Sequence, residues 1–398
     1  MKLLRISVVT LLYCCLSNLY AQDAVRWKYE TGSAVYSSAA ISDNSVFFGS
    51  GDLNLYSLNK TTGVLQWKFA TRGAVQSTPA VSAGKVFVAS SDGNLYAVNE
   101  STGKQTWVFK TNGEQRYDIW DYYLSSPIVA NGVVYFGSGD SCVYALDAGT
   151  GSCIWKYKTN GMVHATPALA GGVVYIGSFD GNFYALDAAT GKLKWKFKTV
   201  GDAYFPLGEI QKAAVVFENT VIFGSRDYNI YALDAKTGTG KWNMKEQGSW
   251  IIATPLVYKS NIYFGTSDSH RFYCMDATTG QVKWTLPLNM RVYGTACVAG
   301  GDITFGCFNG KLYFVNAGTG KVNKVFQTEA SKKHYAGIYN ADDSFRSDFS
   351  LYGENYKESE KKILALGSIL SDPVVDQDMI YFGDANGNFY ALKLALVK

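Results

Sequence analysis

The sequence predicts an all-β protein, an eight-bladed β-propeller of four-stranded antiparallel blades. Four observations carry that prediction. An Ala or Pro recurs eight times, at Ala39, Pro79, Pro127, Pro167, Ala214, Pro255, Ala296 and Pro373. Eleven residues after each, a small or short polar residue ends a second strand: Ser50, Ser90, Ser138, Ser178, Ser225, Thr266, Cys307 and Asp384. A tyrosine column follows in the third strand, at Tyr56, Tyr96, Tyr144, Tyr184, Tyr231, Tyr273, Tyr313 and Tyr390. Finally, the eighth unit stops at Lys398 without a fourth strand, while Arg26-Trp27-Lys28-Tyr29-Glu30-Thr31 matches Lys194-Trp195-Lys196-Phe197-Lys198-Thr199. A first strand that completes the last sheet closes a ring and removes its edges. A linear solenoid would need caps and would leave that first strand unexplained.

The fourth unit shows the element order most clearly. Val173-Val174-Tyr175-Ile176 and Phe183-Tyr184-Ala185-Leu186 are β-rich runs, separated by Phe179-Asp180-Gly181 and followed by the turn Ala188-Ala189-Thr190-Gly191. Turn residues between strands of this length are hairpin signals. Proline in the innermost strand is tolerated because that strand is an edge. The fourth strand carries a tryptophan after a Thr-Gly turn or its equivalent, at Trp67, Trp107, Trp155, Trp195, Trp242 and Trp284. Trp27 stands in the matching N-terminal strand, and Lys324 takes the position in the seventh unit.

Residues 1–21 read as a secretory signal: Lys2 and Arg5, then the apolar run Ile6–Leu16, then a small residue at Ala21. The run is shorter than the roughly 20 residues that span a bilayer. Cys14 and Cys15 lack the small preceding residue that lipoprotein processing prefers, so export without lipidation is the expectation. The remainder, 22–398, reads as one propeller without a transmembrane segment and is expected to be a monomer. With 37 basic and 33 acidic residues, and no Lys/Arg run, nucleic acid is excluded as a partner. The five cysteines after the signal form no disulfide pattern, and without C-x-x-C and with three histidines a metal site is not expected.

The motif Tyr-Ala-Leu-Asp-Ala-x-Thr-Gly-x-x-x-Trp, at Tyr144–Trp155 and Tyr184–Trp195, resembles the tryptophan-docking repeat of PQQ-type propellers. The resemblance covers the chain from about Val25 onward, outside the insertions. It implies that each tryptophan packs between adjacent blades, held by Asp147, Asp187, Asp234 or Asp276 and the turn that follows.

Three interruptions of the repeat fall between a fourth strand and the next first strand, hence on one face: residues 112–124, 200–210 and 329–367. Long loops within a compact repeat are where function concentrates. They bring Arg116, Tyr117, Trp120 and Tyr123, then Tyr204. The expected channel mouth adds His164 and Tyr293, with Arg226 and Trp250 nearby, and these nine residues form the candidate partner-binding face. His164 reads as a hydrogen-bonded rim residue more than as a base. The recurring Asp52, Asp92, Asp140, Asp180, Asp227 and Asp268 read as turn residues rather than calcium ligands. Removing residues 332–362 is expected to leave thermal unfolding almost unchanged.

Among PQQ-type propellers the chain is similar to the BamB family, lipoproteins of the outer-membrane β-barrel assembly complex. That similarity implies a non-enzymatic scaffold at the periplasm or outer-membrane periphery, with envelope proteins or unfolded outer-membrane chains as partners and no cofactor. The alternative is a quinoprotein dehydrogenase that oxidises an alcohol or sugar with PQQ and calcium. No adjacent cysteine pair remains after the signal to support it, and no catalytic residue stands out. A carbohydrate-binding propeller rests on the aromatic face alone.

Overall fold

The computed structural model describes residues 24–397, so the expected signal sequence, with Cys14 and Cys15, lies outside the described residues. Eight four-stranded antiparallel sheets follow one another in chain order, each running from a short inner strand to a fourth, outer strand. The fourth sheet is typical: Ala168–Ala170, Val173–Gly177, Asn182–Asp187 and Leu193–Lys198. The eighth sheet takes Val25–Glu30 as its outer strand beside Asn388–Lys393, with Trp27 opposite Ala391. The ring is closed by that pairing.

Burial explains the strand chemistry. The middle strands are covered on both faces and read as apolar runs, VVYIG and NFYALD in the fourth blade. The outer strand LKWKFK alternates, with lysines exposed and Trp195 and Phe197 half-buried. The prolines precede the inner strands by one residue rather than lying within them: Pro167 stands before Ala168 and Pro255 before Leu256. A residue without an N–H is accommodated there before the ladder begins.

The core lies in the seams between blades. Phe183 stacks on Phe223 of the next blade at 4.1 Å, and Phe272 on Phe305 at 3.8 Å. Each docking tryptophan bridges a seam in two ways. Trp155 Nε1 donates to Ala188 O at 2.9 Å, and its ring covers Gly191, where a Cβ would lie 2.6 Å from the indole. Gly191 also has φ +69°, so glycine is required twice over. Trp27, Trp67, Trp107, Trp195, Trp242 and Trp284 make the same Nε1 bond to the following blade at 2.9–3.2 Å. Asp187 Oδ1 accepts from the Thr190 N–H and hydroxyl, which fixes the turn under the indole. The seam between blades seven and eight, where Lys324 replaces tryptophan, is instead filled by Phe326 against Phe382 and Tyr390.

On the insertion face, a second stitch recurs. In the first five blades the aspartate after the second strand takes the tyrosine hydroxyl on Oδ2 at 2.6–2.8 Å. The same oxygen accepts a backbone N–H of the loop arriving from the preceding blade, as Asp180 does from Asn160. The aspartate column therefore serves turns, as its regularity predicts, and links blades as well. In the eighth blade Asp384 takes the Tyr390 hydroxyl on Oδ2 at 3.1 Å and the Asn386 N–H on Oδ1.

Candidate functional site

The first insertion, residues 112–124, is tied down by its own acids. Asp118 Oδ1 accepts the Trp120 N–H and Asp121 Oδ2 the Tyr117 N–H, both at 2.9 Å, and these short-range bonds shape the loop. The same carboxylates reach the blades. His164 is 2% exposed; its Nδ1 lies 2.9 Å from Asp121 Oδ2 and its Nε2 2.8 Å from Glu114 Oε1. Burial alone would lower the imidazole pKa, but the two carboxylates outweigh it and raise it to about 10. His164 is thus an imidazolium clamp. Arg226, also buried, donates to Asp118 Oδ2 at 2.5 Å and to Gln211 Oε1 at 2.9 Å. The loop ends on Tyr122 and Tyr123, buried over the mouth of the central channel. Tyr122 packs against Tyr36 and Phe308, and Tyr123 donates to Leu370 O.

Beneath Tyr123 the channel keeps a cavity of about 290 Å³, its lining including a ring of hydroxyls at Ser38, Thr78, Ser126, Thr166 and their equivalents. These hydroxyls accept N–H groups from neighbouring blades, as Thr78 does from Ser38 and Ser126 from Thr78. Lys212 pairs with Asp372 at 3.0 Å and lies over the Tyr123 ring.

In the second insertion, residues 200–210, Phe205 stands edge-on to Trp250 at 4.8 Å, and Glu209 accepts the Tyr117 hydroxyl at 2.6 Å. The third, residues 329–367, contains two helices, Glu329–His334 and Tyr356–Leu364. Thr328 caps the former by accepting from the Ser331 N–H. The latter delivers Glu360, which takes Arg291 Nη1 at 2.7 Å and the Tyr122 hydroxyl at 2.6 Å. Arg291 is 2% exposed, and Ile363, Leu351 and Tyr339 are buried in the same core. This packing reverses the expectation that the third insertion is dispensable for stability: its removal would strand a buried arginine.

The three insertions converge on one cleft of about 280 Å³. Trp120, Phe205, Trp250, Tyr352 and Tyr356 form its walls, and Asp268, Arg291 and Tyr293 its base. Trp120 lies 5.7 Å from both Tyr356 and Trp250, near-parallel to the first and edge-on to the second. The Trp120 Nε1 donor is buried without a partner among the described residues. Asp268 is free for this position because in blade six the tyrosine follows its aspartate by five positions, where in the first five blades it follows by four. Its Oδ1 meets Ser267 Oγ, Arg291 Nε and the Tyr352 hydroxyl.

Of the nine residues expected on the partner face, the structure brings Trp120, Trp250 and Tyr293 to the cleft. Tyr117 and Arg226 stand behind it, with the guanidinium 4.5 Å from the Trp250 ring centroid. His164 and Tyr123 belong to the loop anchor and the channel cap. Arg116 is exposed and donates to Ile119 O, while Tyr204, 81% exposed, stays apart from the cleft. Sequence reasoning missed Phe205, Asp268, Arg291, Tyr352, Glu360 and Tyr356 as members of one site. The irregular spacing after Asp268 was the available signal. A larger opening of about 420 Å³, at the seam of blades eight and one, is lined by the pairs Lys60–Asp376 at 2.7 Å and Lys393–Asp378 at 3.8 Å.

The fold and site define a tryptophan-docked, eight-bladed propeller with a capped channel and an aromatic cleft beside it. The chain belongs to the family described as outer membrane protein assembly factor BamB, whose model matches residues 17–120, 118–245 and 203–337. Its structure is similar to that of BamB from Moraxella catarrhalis, with 16% identity, TM-score 0.70, and coverage of 93% of this chain and 99% of that one. It is also similar to the computationally designed protein Ika8, with 16% identity, TM-score 0.67 and coverage of 92% and 97%. A quinohemoprotein alcohol dehydrogenase, ADHIIG from Pseudomonas putida HK5, aligns with 16% identity, TM-score 0.67 and coverage of 93% and 76%. At these identities the likeness is one of fold. No curated protein sequence matches the chain.

Proposed function

We propose that this protein is a non-enzymatic scaffold of the cell envelope, exported to the periplasm or outer-membrane periphery, that binds polypeptide through its insertion face. The observation that carries the reading is the convergence of all three insertions on one aromatic cleft. Half-buried aromatic side chains around a small polar base are what polypeptide recognition uses. The family supplies the proposed partners, envelope proteins or unfolded outer-membrane chains.

The dehydrogenase alternative fits these residues poorly. PQQ is a planar tricarboxylate and calls for unpaired cations beside a flat slot. Arg226 and Arg291 are each already paired with carboxylates, and Tyr122 and Tyr123 fill the channel mouth. Among the described residues no group of three or more His, Cys, Asp or Glu is placed to hold a metal ion. The scaffold reading calls for neither PQQ nor calcium.

The test is a pair of titrations of the full chain followed by tryptophan fluorescence. An unfolded outer-membrane barrel polypeptide is expected to give a saturable change that Trp120→Ala weakens. PQQ with calcium is expected to give no saturable change and no dye-linked alcohol oxidation. Turnover with PQQ would overturn the reading.

A further inference from the structure

The cleft has a chemical preference. Its walls are aromatic faces, which attract cations through their quadrupoles. Asp268 stands at its base, with Asp118 and Glu360 behind, and Arg226 and Arg291 are each paired with one of these carboxylates. Every recorded partner of Asp268 meets Oδ1, so Oδ2 takes no bond among the described residues. An anionic ligand would find both arginines engaged and a carboxylate at the base.

We infer that the cleft receives a lysine side chain of the bound polypeptide, its ammonium on Asp268 Oδ2 and its stem between Trp120, Trp250 and Tyr356. This rests on the scaffold reading above and names the group that the cleft selects. One free carboxylate oxygen suits a compact point charge better than the two-pronged arginine fork. Four methylenes match apolar walls while the charged head reaches a polar group.

The full chain is titrated with Nα-acetyl-lysine methylamide and with its norleucine and glutamate counterparts, at low salt, by tryptophan fluorescence. The lysine compound is expected to saturate, with the other two at least about tenfold weaker. Asp268→Asn should weaken lysine by about tenfold and leave norleucine unchanged. Trp120→Leu, which touches no charge, should weaken lysine without altering the circular dichroism spectrum. Equal binding of lysine and norleucine, or of lysine to wild type and both variants, would sink the inference. Tetramethylammonium binding tighter than the lysine compound would make this a small-amine site instead. If the unfolded barrel polypeptide binds but the lysine compound does not, this inference fails and the scaffold stands. If only the lysine compound binds, the scaffold reading fails and the cleft assignment stands.

Discussion

Tyr273 donates its hydroxyl to Glu246 Oε1 at 3.1 Å, whereas the matching tyrosine of each of the first five blades donates to an aspartate four residues earlier. Glu246 stands where Thr71, Thr111, Thr159 and Thr199 stand in the preceding blades. One substitution and one extra residue thus release Asp268 from stitching blades and deliver it to the cleft. Glu246→Ala should cost about 1–3 kcal/mol, because a buried hydroxyl loses its acceptor. Urea unfolding checks this. Deleting Ser269 restores the shorter spacing and should return Asp268 to Tyr273, keeping the fold but abolishing the lysine-dependent fluorescence change.

The tryptophan docks offer a cleaner stability test. Trp155→Phe removes the bond to Ala188 O and part of the ring over Gly191, at an expected cost of about 1–3 kcal/mol. Gly191→Ala forces a Cβ into the indole at positive φ and should cost at least about 1 kcal/mol. The two share one contact, so the double variant should be less destabilised than the sum of the singles. Denaturant midpoints for the four proteins measure that coupling.

His164 makes stability depend on pH in a stated direction. Its folded pKa, about 10, lies above the ordinary 6.5, so the folded state holds a proton that the unfolded chain gives up first. The contribution is complete below about pH 6.5 and is lost as pH rises through about 10, at no more than about 1.4 kcal/mol per pH unit. Unfolding of wild type between pH 6 and 10 should show this decline. His164→Gln should lack it and be less stable at pH 6, with Glu114 and Asp121 left unpaired.

Glu360→Ala should destabilise by about 3 kcal/mol, since buried Arg291 loses the nearer of its two carboxylates and the Tyr122 hydroxyl its acceptor. Thermal unfolding reads the loss. Deleting residues 332–362 should be worse, because Tyr339 and Leu351 leave the core with Glu360.

The ring was legible in the sequence because its parts repeat: eight Ala/Pro positions, eight tyrosines and an orphan strand around Trp27 admit few other closures. The location of function was legible only as interruption. Trp120 and Trp250 were in view as aromatic residues on the insertion face, yet nothing local links Phe205 to Tyr356 or Arg291 to Glu360. Those meetings arise from loops crossing a shared face, which periodicity does not encode. Asp268 shows the opposite lesson, since its membership in a regular column concealed a spacing that differs by one residue.

The pairing of Trp27 with Ala391 joins the two ends of the described chain, so the last sheet cannot form until almost every other residue has been placed. Contacts that distant close late, because the entropy of the intervening loop is lost before the contact rewards it. Trp27 belongs to that late strand and also docks on Lys60 O of the first blade, so one event completes the last sheet and locks the first blade to it. Until then the edge of the last sheet at Asn388–Lys393 is open to other strands. A chain held open at this stage is a substrate for chaperones, and substitutions in residues 25–30 should lower yield and promote aggregation more than their effect on the closed ring suggests.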